Sequence, residues 1–292
     1  MESEFIATLI AKERLARGDI SAAEDALGGT AGLEWVEPER ACDLLLGREG
    51  GPARAVLDGL LPGVDVVVQS RAGRRRRLLV ADMDSTMISV ECIDELADYA
   101  GVKAEVAAVT EQAMRGELDF AAALEARVAL LGGLDARVID RCHDERVRLT
   151  PGARALVRTM RAHGAYCLLV SGGFSLFADR VAAAIGFDAA RANDLHVAAG
   201  ALTGTVRHPI LGAEGKRRAL LDAAGAHTVP LADTLAVGDG ANDIPMLREA
   251  GLGIAYHAKP AAAEAADARI EANDLGAILF AQGYARKDWV ES

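Results

Sequence analysis

The sequence predicts an α/β protein built on a Rossmann-like, doubly wound parallel sheet, with a helical insert and a small amino-terminal α+β domain. The main observation is a set of short, wholly apolar runs that alternate with helical stretches, namely LLVA at 78–81, YCLLV at 166–170, LAVG at 235–238 and LGIA at 252–255. Continuous apolar strands separated by helices are typical of a parallel sheet covered on both faces. The length of 292 residues agrees with about two domains.

The amino-terminal segment has a pattern of its own. Strands are predicted at 5–11, 33–38, 41–47 and 64–69, and helices at 20–29 and 52–61. The order βαββαβ is that of a ferredoxin-like domain, which we assign to residues 1–72. The main domain then covers 73–292, and a linker is expected at 70–77. The basic run at 74–77 is interpreted as a solvated segment before a strand.

A long helical insert follows the first strand of the main domain. Residues 89–149 have helical patterning throughout, and an insert of that length is better explained as a cap than as a loop. Near 195–210, alternating apolar residues and glycines predict a β-hairpin on the edge of the sheet.

Composition excludes several classes of partner and site. A net charge of −11 repels nucleic acid and anionic membranes, and no apolar run reaches the ~18 residues of a membrane span. The four cysteines are scattered without a CxxC pair, so neither a zinc site nor a disulfide framework is indicated. With no leader-like start, the chain is expected in a reducing, cytoplasmic compartment.

Three of the apolar runs end in polar residues. Asp82 and Asp84 follow the first, Ser171-Gly172-Gly173 follow the second, and Asp239, Asn242 and Asp243 follow the third. Ligands of open parallel sheets bind outside the carboxyl ends of the strands, so these loops are expected to converge. Each loop alone also fits an ordinary turn or helix cap. The presence of all three polar loops in this order, each after an apolar run, favours a functional site.

Carboxylates crowded in this way repel one another unless a cation lies among them. Oxygen ligands suit Mg²⁺, which also binds substrate phosphates, and a serine beside glycines offers a hydroxyl and free N–H groups to a phosphate. Lys216, in GAEGKRRALL at 212–221, lacks the spacing of a P-loop and by itself fits a solvated lysine. Aimed at a phosphate, it would neutralise developing charge.

These motifs resemble a known family. Asp82-x-Asp84-x-Thr86, Ser171, Lys216 and the GDGxND at 238–243 are similar, in order, to the four motifs of the haloacid dehalogenase superfamily of phosphohydrolases. DMDSTMISVECIDELADYAG at 82–101, SGGF at 171–174 and VGDGANDIPML at 237–247 resemble the phosphoserine phosphatases within it. The resemblance covers about 78–276, and the amino-terminal segment loosely resembles ACT domains.

The resemblance implies a mechanism. Asp82 would be the nucleophile that forms an aspartyl-phosphate, and Asp84 would be the general acid and then base, with a raised pKa. Mg²⁺ would be held by Asp82, the backbone carbonyl of Asp84, and Asp239. Asp243 would orient the metal-bound water or Lys216, and Thr86 would order the first loop. Ser171, Gly172 and Asn242 would bind the phosphate oxygens.

The resemblance also implies a substrate, O-phosphoserine. Glu91 would bind its ammonium group and Arg127 its carboxylate, while Met114 and Phe120 would form an apolar wall that excludes water. Without the motifs, Glu91 fits an exposed acid at a helix start and Arg127 a surface arginine.

The expected function is hydrolysis of O-phospho-L-serine to L-serine and phosphate, the last step of serine biosynthesis. Two alternatives stay open at this point: a phosphotransferase that passes the phosphoryl group to another alcohol such as homoserine, and an amino-acid-binding regulatory protein. The amino-terminal domain is expected to mediate dimerisation or to stabilise the core.

Overall fold

The computed structural model describes residues 4–47 and 51–291, and it begins with an antiparallel four-stranded sheet. The order along the chain is β1 (Phe5–Ala11), α1 (Arg17–Ala26), β2 (Gly32–Glu37), β3 (Ala41–Leu46), α2 (Gly51–Leu57) and β4 (Val64–Ser70). The strands lie in the order β2-β3-β1-β4, which confirms the predicted βαββαβ arrangement. We call these elements the amino-terminal unit. The domain boundary at 72/73 stays a prediction.

Strand β1 is buried on both faces because it lies between two cores. Leu9 packs in the core of the amino-terminal unit, whereas its neighbour Ile10 packs against the rest of the protein. Successive side chains of a strand point to opposite faces, so one strand serves both cores. Helix α2 is shorter than predicted, because the chain turns at Gly59, whose φ of 73° is left-handed.

The main body is a six-stranded parallel sheet with helices on both faces. Its elements are β5 (Leu78–Ala81), α3 (Cys92–Ala100), α4 (Lys103–Met114), α5 (Phe120–Leu130), α6 (Arg137–Arg146), α7 (Ala153–Ala162), β6 (Tyr166–Phe174), α8 (Ser175–Ile185), β7 (Ala189–Asn193), β8 (Leu195–Ala198), β9 (Ala201–Val206), α9 (Ala213–Ala226), β10 (Thr234–Gly238), α10 (Ile244–Glu249), β11 (Leu252–Tyr256), α11 (Pro260–Ala265), β12 (Ala268–Ile270) and α12 (Ala277–Ala281). The strand order is β12-β11-β10-β5-β6-β7.

Alternate residues of β5 explain the two layers of helices. Leu79 and Ala81 pack with residues of α7, α8 and α12, whereas Leu78 and Val80 pack with α9, α10 and α11. Both faces of the strand therefore need apolar side chains, as the run LLVA predicts. Strand β5 lies between β10 and β6, so the three polar strand ends are neighbours and the doubly wound sheet is confirmed.

The predicted cap is confirmed as four helices, α3 to α6, inserted after β5. Its two connections to the sheet run side by side, joined by hydrogen bonds from Ser89 N to Arg148 O (3.0 Å) and from Thr150 N to Met87 O (3.0 Å). The cap therefore enters and leaves the main body at one place.

The predicted hairpin is also present, as β8 and β9, but its position differs from the prediction. It forms a separate two-stranded sheet instead of extending the main sheet beyond β7. Leu202 exchanges backbone hydrogen bonds with the cap, accepting from Gly133 N and donating to Leu134 O (2.8 Å each). The hairpin thus supports the end of α5 and the turn after it.

The basic run at 74–77 is only in part the solvated segment that the sequence predicts. Arg74 is part-buried and its Nη1 lies 2.5 Å from Oδ2 of the buried Asp43, and Arg76 is only 7% exposed. Arg76 donates to Gln69 Oε1 (2.8 Å) and to a backbone carbonyl. Arg75 is exposed and Arg77 has 56% of its side chain exposed, so these two residues fit the prediction. A local pattern cannot show that partners distant in sequence will cover these guanidinium groups.

A buried carboxylate, that of Asp65, joins the amino-terminal unit to the main body. The carboxylate of Asp65, 6% exposed, accepts from the backbone N–H groups of Glu271, Ala272 and Asn273 (2.9, 3.0 and 3.0 Å). It also accepts from Asn273 Nδ2 at 2.9 Å. One side chain thus satisfies the donors of a whole turn.

In the part of the chain described here, no helix has both the length and the apolar composition to cross a bilayer.

We expect Asp65→Ala to lower the free energy of unfolding by about 3 kcal/mol, because buried donors left without an acceptor cost about 1–3 kcal/mol each. Urea denaturation of the full chain measures this. The control Asp25→Ala removes an exposed acid of the same unit and is expected to change stability by less than about 0.5 kcal/mol. A loss below about 1 kcal/mol for Asp65→Ala would contradict the structural role.

Candidate active site

The carboxyl ends of β5, β6 and β10 open into one cavity beneath the cap. The residues that line it are Asp82, Asp84, Glu91, Ile93, Phe120, Leu124, Arg127, Ser171, Gly172, Gly173, Phe174, Asp239, Asn242 and Lys259. Most of the residues selected from the sequence are therefore brought together. Thr86, Lys216 and Asp243 lie directly behind this surface and are fully buried, whereas Met114 lies elsewhere.

A buried ammonium group is the centre of the site. Lys216, on the first turns of α9, is fully buried, and its Nζ lies 2.6 Å from Asp82 Oδ1 and 2.7 Å from Asp243 Oδ1. Burial lowers the pKa of Lys216, but the two carboxylates outweigh it and raise the pKa above its ordinary value. The lysine is therefore a permanent cation that holds two acids from different strands in place.

This arrangement leaves one oxygen of Asp82 available. Oδ1 accepts from Lys216 and from the N–H of Met83 at 2.8 Å, whereas Oδ2 has no donor among the described residues. Asp82 lines the cavity, so this second oxygen is the one a ligand can meet. A carboxylate fixed through one oxygen and free at the other is oriented for attack or for metal binding.

Asp243 has both carboxylate oxygens in use. Oδ1 accepts a hydrogen bond from Lys216 Nζ, and Oδ2 accepts from the backbone N–H groups of Asp239 (3.1 Å) and Gly240 (3.0 Å). It therefore shapes the loop after β10. Gly238 is needed here, because a Cβ at that position would lie 2.4 Å from Asp243 Cγ.

Asp239 is the third acid of the cluster. One carboxylate oxygen from each of Asp82, Asp239 and Asp243 lies within 4.8 Å of the others. Burial, and next the Asp243 carboxylate, raise the pKa of Asp239 to about 6. The buried Thr86 donates to Asp239 Oδ1 (3.4 Å), so it links the first loop to the third. Buried oxygen ligands at this spacing fit a small divalent cation.

Asp84 lies beside these acids but in a different environment. Burial, and next the nearby Glu91 carboxylate, raise the pKa of Asp84 to about 7. This agrees with the raised value that the resemblance implies. Its Oδ1 accepts from the N–H of Cys92 at 3.4 Å, and Gly173 packs so close that a Cβ there would lie 2.7 Å from Oδ2.

The carboxyl end of β6 offers polar groups to an anion. The sequence predicts that the strand ends at residue 170, but β6 continues to Phe174, with its pairing to β7 shifted between Val170 and Phe174. This irregularity turns the serine and glycines toward the cavity instead of along a regular ladder. Ser171, 1% exposed, accepts from Gly173 N through Oγ at 2.9 Å.

The cap supplies two charged groups and an aromatic ring. Glu91 is the residue immediately before α3, and Arg127 lies on α5. Burial lowers the pKa of Arg127, and the nearby carboxylates of Asp94 and Glu91 offset only part of this effect. The Phe120 ring lies against two glycines of the main body, since a Cβ on Gly172 or Gly212 would be 3.0 Å from it. The cap therefore contacts the strand ends through this ring.

Met114 is a correction to the sequence analysis. It is the last residue of α4, 81% exposed, and it does not line the cavity. The apolar wall is formed instead by Phe120 with Ile93 and Leu124. An apolar residue at a helix end gives no sequence signal of the direction in which its side chain points.

Lys259 and Asn193 are polar residues that the sequence analysis does not select. Lys259 lies beyond β11, with Nζ 3.8 Å from Asp239 Oδ2 and its N–H bonded to Asp239 O (2.9 Å). The sequence does carry a signal for Lys259, because it follows the apolar run LGIA and ligands bind outside the carboxyl ends of parallel strands. Asn193 donates to the carbonyls of Gly172 (2.9 Å) and Leu211 (3.2 Å), and it accepts from Leu211 N (2.6 Å). It joins the phosphate-side loop to the segment that leads into α9, and no motif marks it.

Comparison with known proteins agrees with this geometry. A phosphoserine phosphatase of Streptomyces coelicolor is 47% identical over 246 residues, which cover 83% of this chain and 60% of the relative. The chain therefore spans less than two thirds of that protein. A phosphoserine phosphatase of a Polaromonas species is 47% identical over 208 residues, 70% of this chain and 88% of the relative.

Solved structures extend the likeness to the amino-terminal unit. A probable phosphoserine phosphatase from Vibrio cholerae superposes with a TM-score of 0.79 at 32% identity, covering 98% of this chain and 88% of that one. The sequence model of the haloacid dehalogenase-like hydrolases matches residues 79–248, more than half of the chain and the segment that carries every motif of the site. On its motifs, its fold and this match, the chain belongs to the haloacid dehalogenase-like hydrolase family.

Proposed function

We propose that the chain is a Mg²⁺-dependent phosphatase that hydrolyses O-phospho-L-serine to L-serine and phosphate. The observation that carries the proposal is the Asp82 carboxylate, held by Lys216 through one oxygen, at the floor of a cavity that Arg127 and Glu91 line from the cap. A nucleophile at one end and a pair of opposite charges at the other match a phosphate ester that also bears an ammonium and a carboxylate. The names of the relatives above support this choice.

The first chemical step uses Asp82 and Asp84. One carboxylate oxygen of Asp82 attacks phosphorus, the bond from phosphorus to the seryl oxygen breaks, and the leaving oxygen takes a proton from Asp84. Lys216 keeps its charge beside the attacking carboxylate throughout and offsets the negative charge that gathers around phosphorus.

The second step removes the aspartyl-phosphate. Asp84, now a carboxylate, accepts a proton from a water whose oxygen bonds to phosphorus, and the bond from Asp82 to phosphorus breaks. Inorganic phosphate leaves and both acids return to their starting states. A carboxyl group with a pKa near 7 suits a residue that must give and take a proton at neutral pH.

Mg²⁺ fits the donor set because buried carboxylate oxygens crowd together at the floor of the cavity. Asp82, Asp239 and the backbone carbonyl of Asp84 would hold it, and when bound it would neutralise part of the phosphate charge. Both oxygens of Asp243 already accept hydrogen bonds, so this residue would orient the loop and Lys216 instead of binding the metal.

Substrate selection is assigned to the cap. Arg127 offers a planar pair of donors to the substrate carboxylate, and Glu91 offers an acceptor to the ammonium. Phe120 would exclude water by its contact with Gly172 and Gly212. Ser171, Gly172 and Asn242 would bind the phosphate oxygens.

Other aspects of the role stay predictions. They are the place of the reaction as the last step of serine biosynthesis, a cytoplasmic location and a homodimer. Hydrolysis is preferred to transfer because the named relatives are phosphatases. Product analysis with added homoserine distinguishes the two, since transfer would yield a new phosphate ester and less inorganic phosphate.

Asp82→Asn is expected to lower phosphate release from phosphoserine by at least about 10³-fold, because an amide does not attack phosphorus. The variant is expected to fold, since Lys216 retains Asp243 as its partner. Circular dichroism and urea denaturation check the fold. Residual turnover above a few per cent in a folded variant would contradict the assignment.

Arg127→Ala is expected to raise KM for phosphoserine at least about tenfold, because a charged hydrogen bond contributes about 1.5–3 kcal/mol. KM for 4-nitrophenyl phosphate, which has no carboxylate, is expected to change much less. Arg115→Ala, which removes an exposed arginine of the same cap, is the matched control. Equal increases on both substrates would remove Arg127 from carboxylate recognition.

Asp239→Asn is expected to raise the half-saturating Mg²⁺ concentration for phosphate release at least about tenfold, because an amide oxygen carries no net charge toward the ion. A titration of Mg²⁺ against activity measures this, with Asp25→Asn as the control for loss of an exposed acid. An unchanged Mg²⁺ requirement would show that Asp239 does not hold the metal.

A further inference from the structure

Ser85 has a backbone conformation that the mechanism above does not explain. It lies between Asp84 and Thr86 with a φ of 54°, in the left-handed region. For a residue with a side chain this conformation costs roughly 1–2 kcal/mol, and glycine would adopt it freely. A serine at this position therefore calls for a compensating contact.

That contact is made to the cap. Ser85 Oγ donates to Glu91 Oε1 at 2.6 Å, and Ser85 N donates to the carbonyl of Val90 at 3.3 Å. The left-handed turn aims both donors back at the end of the loop. Residues 85–91 thus form a closed loop that ties the start of α3 to the residue beside Asp84.

Glu91 depends on this hydroxyl. Within residues 4–47 and 51–291, no lysine, arginine or histidine nitrogen lies within 4.0 Å of its carboxylate, and Ser85 is its side-chain hydrogen-bond donor. The bond uses Oε1 and leaves Oε2 without a donor in the same described part of the chain. Glu91 lines the cavity, where the free oxygen is available to an ammonium group.

We propose that Ser85 is a positioning residue that sets the preference of this site for phosphate esters bearing an amino group. It acts through Glu91, fixing the carboxylate by one oxygen so that the other meets the ammonium, much as Lys216 fixes Asp82. This inference rests on the proposed function. An unfixed glutamate has three side-chain rotors, and ordering them on substrate binding would weaken recognition.

The test uses two variants and two substrates. Ser85→Ala removes the hydroxyl and keeps the backbone strain, whereas Ser85→Gly removes the hydroxyl and relieves the strain. The substrates are phosphoserine and 3-phosphooxypropanoate, which is phosphoserine without its amino group. For both variants we expect the preference, the ratio of the two kcat/KM values, to fall about tenfold, mainly through KM for phosphoserine.

A double-mutant cycle shows whether Ser85 acts through Glu91. In a Glu91→Ala background, Ser85→Ala is expected to leave the ratio where Glu91→Ala alone puts it. Urea denaturation of each variant separates this from a loss of fold, and Ser85→Gly serves if Ser85→Ala is too unstable to assay.

Several outcomes would overturn the inference. Equal losses on both substrates, additive effects in the cycle, or recovery of the preference in Ser85→Gly would reduce Ser85 to a structural or backbone role. The wild-type protein gives the separate test of the proposed function. If it prefers phosphoserine and the variants keep that preference, only the role of Ser85 fails. If it shows no preference for the amino-bearing ester, both fail.

Discussion

The site depends on one buried cation between two carboxylates. A charge without solvent is tolerated only where opposite charges and hydrogen bonds surround it, and Lys216 has Asp82 on one side and Asp243 on the other. These residues come from the ends of β5 and β10 and from the start of α9. Each carboxylate must lie within hydrogen-bonding distance of the lysine for the pairs to form. The parallel sheet provides this because β5 and β10 are hydrogen-bonded neighbours in register.

Chemistry and recognition are divided between two layers that meet along one surface. The strand ends supply the acids and the lysine, and the cap supplies Glu91, Arg127 and Phe120. The cap is joined to the main body at a single pair of connections, and the hairpin β8–β9 braces the end of α5. Phe120 against two glycines is an apolar contact between the layers near the site. Ser85 gives the same boundary a polar contact.

The amino-terminal unit is held to the main body by buried polar groups, which makes it part of the same structure. Asp65 satisfies a turn of the main body, and Arg74 pairs with Asp43 while it also donates to the carbonyl of Ala281 at 3.0 Å. The turn that Asp65 holds contains Asn273, whose carbonyl bonds His257 Nε2 at 3.0 Å, two residues before Lys259. These contacts favour the stabilising role expected for this unit. Its part in dimerisation stays a prediction.

The sequence alone determined the sheet, the cap, the order of the amino-terminal elements and the residues at the three strand ends. These are local properties, since an apolar run and the polar residues that end it are adjacent in the chain. The tertiary structure decided which long side chains are covered. Arg74 is half-buried and Arg76 buried by contacts with distant segments, Met114 points to solvent, and Asn193 joins two loops that no motif connects. Burial and pairing depend on what packs opposite a residue, and the neighbours of a residue in sequence do not carry that information.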